Sequence, residues 1–368
     1  MSRTIRWLLL AAVLLAACGL FSAIGLLVVT GGNPVGAVQQ LVFRVQLAGR
    51  QNELNTPISS DETPVRFNVA AGDTPRMVAQ NLAAAGLIGD ADLFVTFVRA
   101  NDLDTQIEAG TYFLAQSEPL TEIAYALTDS GANTIPFRIL EGWRMEEVAA
   151  AIDQTPLFGF DGEDFLRAVG PGATPDPAFA AAIGMPPGAA LEGFLFPETY
   201  TLPASVTPEM LRDILLSEFM LQAGTPLAAS AQTQGLSLYQ AVTLASIIQR
   251  EAVRVDEMPL ISSVYRNRMS VNMRLEADPT VQYGIGQRDG RWWPQITQAD
   301  YSSAVSPYNT YLNTGLPPGP IASPGLAAIH AAIAPQQSPY YFFRAACDGS
   351  GYHVFAVTFD EHVANACP

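Results

Sequence analysis

Hydrophobic positions along the chain follow three different periods. From Trp7 to Thr30 they run almost unbroken: 24 residues carry no charge, and Arg3 and Arg6 precede them. At about 1.5 Å per residue such a helix crosses a hydrocarbon layer of roughly 30 Å, so residues 7–30 are expected to form one transmembrane helix. The two arginines would hold residues 1–6 in the cytoplasm and leave the remainder extracytoplasmic. A cleaved signal peptide carries an apolar region of only about 7–15 residues. Leu15-Ala16-Ala17-Cys18 resembles a lipoprotein processing box, yet Gly19 to Val29 stays apolar where a mature lipoprotein turns polar. Either outcome tethers the chain to the outer face of a membrane.

Residues 31–63 show no sustained period and read as a stalk. Near Val65 an alternating pattern begins, and it recurs. Phe67, Val69, Gly72, Val78, Ala79 and Leu82 are matched, 70 residues later, by Phe137, Ile139, Gly142, Val148, Ala149 and Ile152. A fixed offset points to two copies of one small unit: a strand, a glycine turn and an amphipathic helix. Residues 170–190 are rich in Pro, Gly and Ala and read as a loop, and helical patterning takes over from Pro208. The class is α+β.

The third period is helical. Leu238 to Glu251 holds no Gly or Pro, and Leu244, Ile247, Ile248 and Glu251 share one face at i, i+3, i+4 and i+7. A carboxyl group at the end of an apolar stripe would be desolvated, which raises its pKa and keeps a proton available to a general acid. The competing reading is that Glu251 closes the stripe at the surface beside Arg250 or Arg254. Glu276 and Asp278 could form a second acid pair, but Asp-Pro-Thr suits a turn in which the Asp side chain bonds nearby backbone N–H groups.

Composition narrows the chemistry. All 19 basic residues are arginine, which excludes Schiff-base lysines, Ser-Lys dyads and phosphate-loop lysines. A net charge of −16 argues against a nucleic-acid partner. His330, His353 and His362 match no common metal-ligand spacing, and no GxSxG elbow is present, so neither a metal nor a cofactor is expected. Cys347 and Cys367 flank a strand-like stretch, Tyr352 to Thr358, and can pair in an oxidising compartment.

Longer motifs carry a resemblance. Ala245-Ser246-Ile247-Ile248-Gln249-Arg250-Glu251, Ser263 to Arg268, and Met273 to Gly284 closely resemble the YceG-like endolytic murein transglycosylases. So do Ser306 to Tyr311, Gly315 to Ile321, Ser323-Pro324-Gly325, the Tyr340 to Phe355 region and Leu191 to Tyr200. The resemblance implies a small LysM-like βα domain at 64–133 and a catalytic domain at 134–368, divided into a repeat-containing part (134–225) and a catalytic core (226–368). It maps the catalytic glutamate onto Glu251. Asp278, Tyr283, Tyr308, Asn309, Tyr311 and Glu198 become candidate substrate contacts. Departures are Gln249, where relatives carry a second acid, Ser323 in place of an expected Asn, and a polar aromatic loop at Gln287–Trp293. The implied substrate is the peptidoglycan glycan strand and the implied partners are peptidoglycan synthases. The runner-up is a non-catalytic wall-binding scaffold protein.

Overall fold

The computed structural model describes residues 34–367; residues 1–6, the apolar segment 7–30 and its Cys18 lie outside the described residues. Among the described residues no helix is long and apolar enough to cross a membrane. The chain divides between Thr134 and Ile135 into two compact units.

The first unit contains α1 (Pro34–Ala48), α2 (Gln51–Asn55), β1 (Val65–Val69), α3 (Pro75–Ala84), α4 (Ala91–Ala100), β2 (Gly110–Leu114) and α5 (Leu120–Ala126). β1 and β2 pair antiparallel, with Phe67 opposite Tyr112. Alternation in β1 sends Phe67 and Val69 inward, where they join Val78, Leu82, Phe94, Tyr112 and Ile123. Thr74 caps α3 by accepting from the Met77 N–H, with Pro75 in the first turn, and Asp90 caps α4 through the Leu93 N–H. Part of the stretch expected to be a stalk is therefore helical. Leu47 and Leu54 are buried in this core, and α1 packs on α4.

The second unit opens with the other copy of the repeat. β3 (Thr134–Arg138) leads through Gly142 into α6 (Met145–Asp153), as β1 leads through Gly72 into α3. Both glycines take positive φ, +92° at Gly72 and +80° at Gly142, where a side chain would be strained. α7 (Gly162–Val169) and α8 (Pro177–Ile183) follow; α8 lies inside the segment read as a loop, started by Asp176 and Pro177 and stopped by Gly184 in the left-handed conformation. β4 (Thr199–Pro203) pairs with β3.

Next come α9 (Pro208–Phe219), a π turn over Met220–Gly224, α10 (Thr225–Thr233), α11 (Leu238–Glu251) and α12 (Met258–Ser270). α13 (Asp278–Ile285), α14 (Asp300–Ser303), α15 (Leu326–Ile333), the antiparallel pair β5 (Phe342–Ala345) and β6 (His353–Ala356), and α16 (Phe359–Ala364) complete the unit. α11 is central, packing on α15, α12, α13 and α10. Its Ser237–Gln240 capping box satisfies the first turn, and Leu238 through Ile248 are buried apart from Gln240. Strands occur only as pairs among the described residues, so the second unit is a helical body carrying two small sheets.

Candidate active site

Glu251 is the last residue of α11; Ala252 turns to extended backbone, and the carboxyl is left where the helix ends. Glu251 faces a cavity of about 750 Å³ that it shares with Tyr265, Arg268, Asp278, Tyr301 and Tyr311, closed on another side by Phe342 and Phe343 of β5 and His353 of β6. The residue keeps some exposure to this cavity while protein packs closely around its carboxyl. Burial pushes the Glu251 pKa up to about 7; the Tyr265 bond and nearby Arg268 pull it down, and nearby Asp278 adds to the rise. The Tyr265 hydroxyl donates to Oε1 at 2.8 Å. Tyr265 is itself fully buried, and its ring packs edge-on against Phe343 at 5.8 Å between centroids.

The walls are held by bonds that spend polar groups on backbone. Arg268 donates to the Tyr341 carbonyl at 2.6 Å and the Leu275 carbonyl at 2.7 Å, tying β5 and the loop before α13 to α12. It also donates to the Arg274 carbonyl at 3.3 Å and lies 3.5 Å from the Glu276 carboxylate. Glu276 has a positive φ of 49°, an uncommon conformation for a non-glycine residue. It brings the Ala277 N–H onto the Thr310 hydroxyl at 3.0 Å. His353 rests on Glu257 at 3.0 Å. Cys347 and Cys367 form a disulfide that links the end of β5 to the chain beyond α16, whose Phe359 and His362 also line the cavity.

Of the residues singled out from the sequence, Glu251, Asp278 and Tyr311 meet in this cavity. Asp278 begins a helix rather than sitting in a turn, and its carboxylate accepts from the hydroxyls of Tyr311 at 2.7 Å and Tyr301 at 3.4 Å rather than from backbone N–H groups. A second positioned carboxylate therefore shares the site, held by two tyrosine hydroxyls where the Asp-Pro-Thr sequence suggests backbone N–H groups.

Asn309 is fully buried, donating to the Tyr301 and Ala304 carbonyls and accepting from the Tyr311 N–H, so it shapes the loop that presents Tyr311. Glu198 is exposed and its carboxylate accepts from the Thr199 N–H. Tyr283 and Tyr308 pair at 4.7 Å in another cluster, where the buried Arg144 guanidinium lies 4.1 Å from the Tyr283 ring and 5.0 Å from Trp292. Arg250 stacks on Trp293 at 3.9 Å, and Trp293 donates to Glu147 at 3.0 Å, which places the aromatic loop 287–293 against α6. Glu192, buried beside Arg144, accepts from the Met145 N–H, and burial raises its pKa to about 8.

Gln249 points to its own task, accepting from the Gly325 N–H at 2.9 Å and donating to Glu141 at 3.5 Å. Ser323 works through its backbone, accepting from the Gly142 N–H and donating to the Trp143 carbonyl, both at 2.7 Å. Tyr265, Arg268 and Tyr301 were not singled out beforehand. Tyr265 and Arg268 share a face of α12 with Ile261 and Val264, and that spacing was the available signal. The first unit holds a separate cavity of about 800 Å³, whose Arg50 and Arg76 are paired with Asp90 and Asp92. Among the described residues no cluster of side chains is arranged to hold a metal.

A carboxyl with a pKa raised by burial, at a helix end in a cleft lined by aromatic rings, has the character of a general acid–base group. The chain belongs to the YceG-like family, whose model matches residues 67–367. It is 32% identical over 323 residues to the endolytic murein transglycosylase of Bacillus subtilis (strain 168), covering 83% of this chain and 85% of that protein. With the endolytic murein transglycosylase of Streptococcus pneumoniae serotype 2 (strain D39 / NCTC 7466) it shares 26% identity over 78% of this chain, spanning 56% of that longer relative. A YceG-like protein of Listeria monocytogenes, solved by crystallography at 2.6 Å, superposes with a TM-score of 0.53 at 27% identity, covering 82% of this chain and 98% of that one.

Proposed function

We propose that the chain is an endolytic murein transglycosylase in which Glu251 is both acid and base. The protonated carboxyl gives its proton to the glycosidic oxygen between N-acetylmuramic acid and N-acetylglucosamine, and the C1–O bond breaks. The resulting carboxylate then takes the proton of the muramoyl 6-hydroxyl as that oxygen closes on C1, leaving a 1,6-anhydro end and consuming no water. One group can serve both steps because a carboxyl with a pKa of about 7 is poised between its two forms at neutral pH. That poise is the observation that carries the reading. Tyr265, donating to Oε1, orients the carboxyl and supports the anion after the first transfer.

The wider placement belongs to the same proposal. Residues 7–30 anchor the chain in the membrane with the enzyme on the outer side, the LysM-like unit at 64–133 holds the glycan, and cleavage beside a peptidoglycan synthase limits strand length.

Glu251→Gln tests the chemistry, since it preserves size and hydrogen-bonding reach but cannot cycle a proton. Turnover of isolated glycan strands should fall by about 10²- to 10⁴-fold. Mass spectrometry of the wild-type products should show ends lighter by one water than hydrolysis would leave. Reducing ends in their place would make the enzyme a hydrolase, and full activity of the variant would remove Glu251 from the mechanism.

A further inference from the structure

Asp278 shares the cavity with Glu251, but its oxygens are engaged in a way that limits what it can do. Oδ1 accepts from the Tyr311 hydroxyl at 2.7 Å and Oδ2 from the Tyr301 hydroxyl at 3.4 Å, and the two rings lie 4.3 Å apart between centroids. Burial, with the Asp278 contact adding to it, pushes the Tyr311 hydroxyl well above its ordinary range, so it remains a donor at any working pH. Asp278 is then the acceptor of that bond. It also stands in the first turn of α13, where free N–H groups favour negative charge. Glu276, the other nearby acid, is exposed and leans on Arg268.

We propose that Asp278 is a second catalytic carboxylate, an anion fixed by Tyr311 and Tyr301 that stabilises the positive charge building on the muramoyl ring as the glycosidic bond breaks. This rests on the reading of Glu251 given above. The proton passes from Glu251 to the glycosidic oxygen, the bonding electron pair leaves with that oxygen, O6 attacks C1, and the O6 proton returns to Glu251. Asp278 exchanges no proton and forms no bond. Fixed charge aimed at developing charge is effective because nothing has to reorient during the reaction. The same anion adds to the rise in the Glu251 pKa that burial causes first.

The other charged or titratable groups on this cavity come from three places: Tyr265 and Arg268 of α12, Arg344 and His353 of the β5–β6 pair, and His362 of α16. Arg268 is spent on carbonyls and Glu276, Arg344 donates to the His362 carbonyl, and His353 is held by Glu257. None of them donates to Asp278.

Asp278→Asn in the full chain, with kcat and KM followed on isolated glycan strands from about pH 4 to 9, tests the role. The expected result is a fall in kcat of about 10- to 100-fold with KM nearly unchanged, and an alkaline limb of the kcat profile displaced to lower pH because the like charge beside Glu251 is gone. A merely structural residue would lower the melting temperature and leave kcat of the folded enzyme nearly unchanged. Unchanged kcat, or a loss seen only in KM, overturns the proposal. Should Asp278→Asn fail to fold, Tyr311→Phe decides: it keeps the ring pair, and kcat should drop several-fold at constant KM, whereas wild-type kcat overturns the role. Glu251→Gln run in parallel separates the two claims. Cleavage by that variant sinks the Glu251 reading, while an inactive Glu251→Gln beside a fully active Asp278→Asn sinks only this one.

Discussion

Glu251 and Glu192 are carboxyls that the folded protein prefers protonated, with pKa values of about 7 and about 8, and burial is the first cause for both. A raised carboxyl pKa means that the native state holds a proton that the unfolded chain releases. The contribution to stability is complete below the unfolded value near 4.5 and is lost as pH rises through the folded value. For Glu251 the loss amounts to about 3 kcal/mol between roughly pH 4.5 and 7, at 1.36 kcal/mol per unit. Glu251→Gln, which has no proton to lose, should therefore gain stability over the wild type as pH rises across that window. Urea unfolding at several pH values reads this directly, and parallel wild-type and variant curves would refute it. The family resemblance picked out Glu251, and its place in the apolar stripe allowed the buried carboxyl that the structure shows while leaving a surface position open. Tyr265 was not legible, since a tyrosine on a buried helix face reads as core and nothing in its spacing says that its hydroxyl reaches a carboxyl on another helix. Gln249 is explained only by its two partners: a glutamate there could accept from Gly325 but could not donate to Glu141.

Among the elements, the strand–glycine–helix repeat was the most legible feature, because alternation and helical spacing fix burial directly. Phe137, Ile139, Val148 and Ile152 are as buried as Phe67, Val69, Val78 and Leu82. Short elements escaped notice for different reasons: in α2 Leu54 is the one apolar residue, and α8, rich in Pro and Ala, shares the composition of a loop. Glycines show how an element's demands grade. Gly72 has positive φ with open space around it, while Gly193 has a φ of +86° and an added Cβ would sit 2.3 Å from Pro320. Gly72→Ala should cost about 1–2 kcal/mol from left-handed strain alone. Gly193→Ala adds overpacking and should cost about 2–4 kcal/mol. Denaturation midpoints of the two variants check the order, and equal losses would show that the Gly193 contact relaxes freely.

At the scale of the molecule, two units carry separate cores, and the second builds its cavity from parts of different firmness. α11 and α12 are deeply buried, whereas α16 has no buried residue and is held by Phe342 against Phe359 and His362, by the Arg344 bond to the His362 carbonyl, and by the disulfide. The bridge spans a separation of 20 residues, for which loop closure contributes about 3 kcal/mol. Replacing Cys347 and Cys367 by Ser should lower glycan cleavage while the main unfolding transition stays cooperative, which activity assays and calorimetry on the same sample would show; unaltered cleavage would mean that the wall holds without its tether. Opening the bridge in the native protein with a dithiol should release that wall and leave the helical body standing. The expected result is an inactive but not denatured state, from which reoxidation should restore activity without refolding.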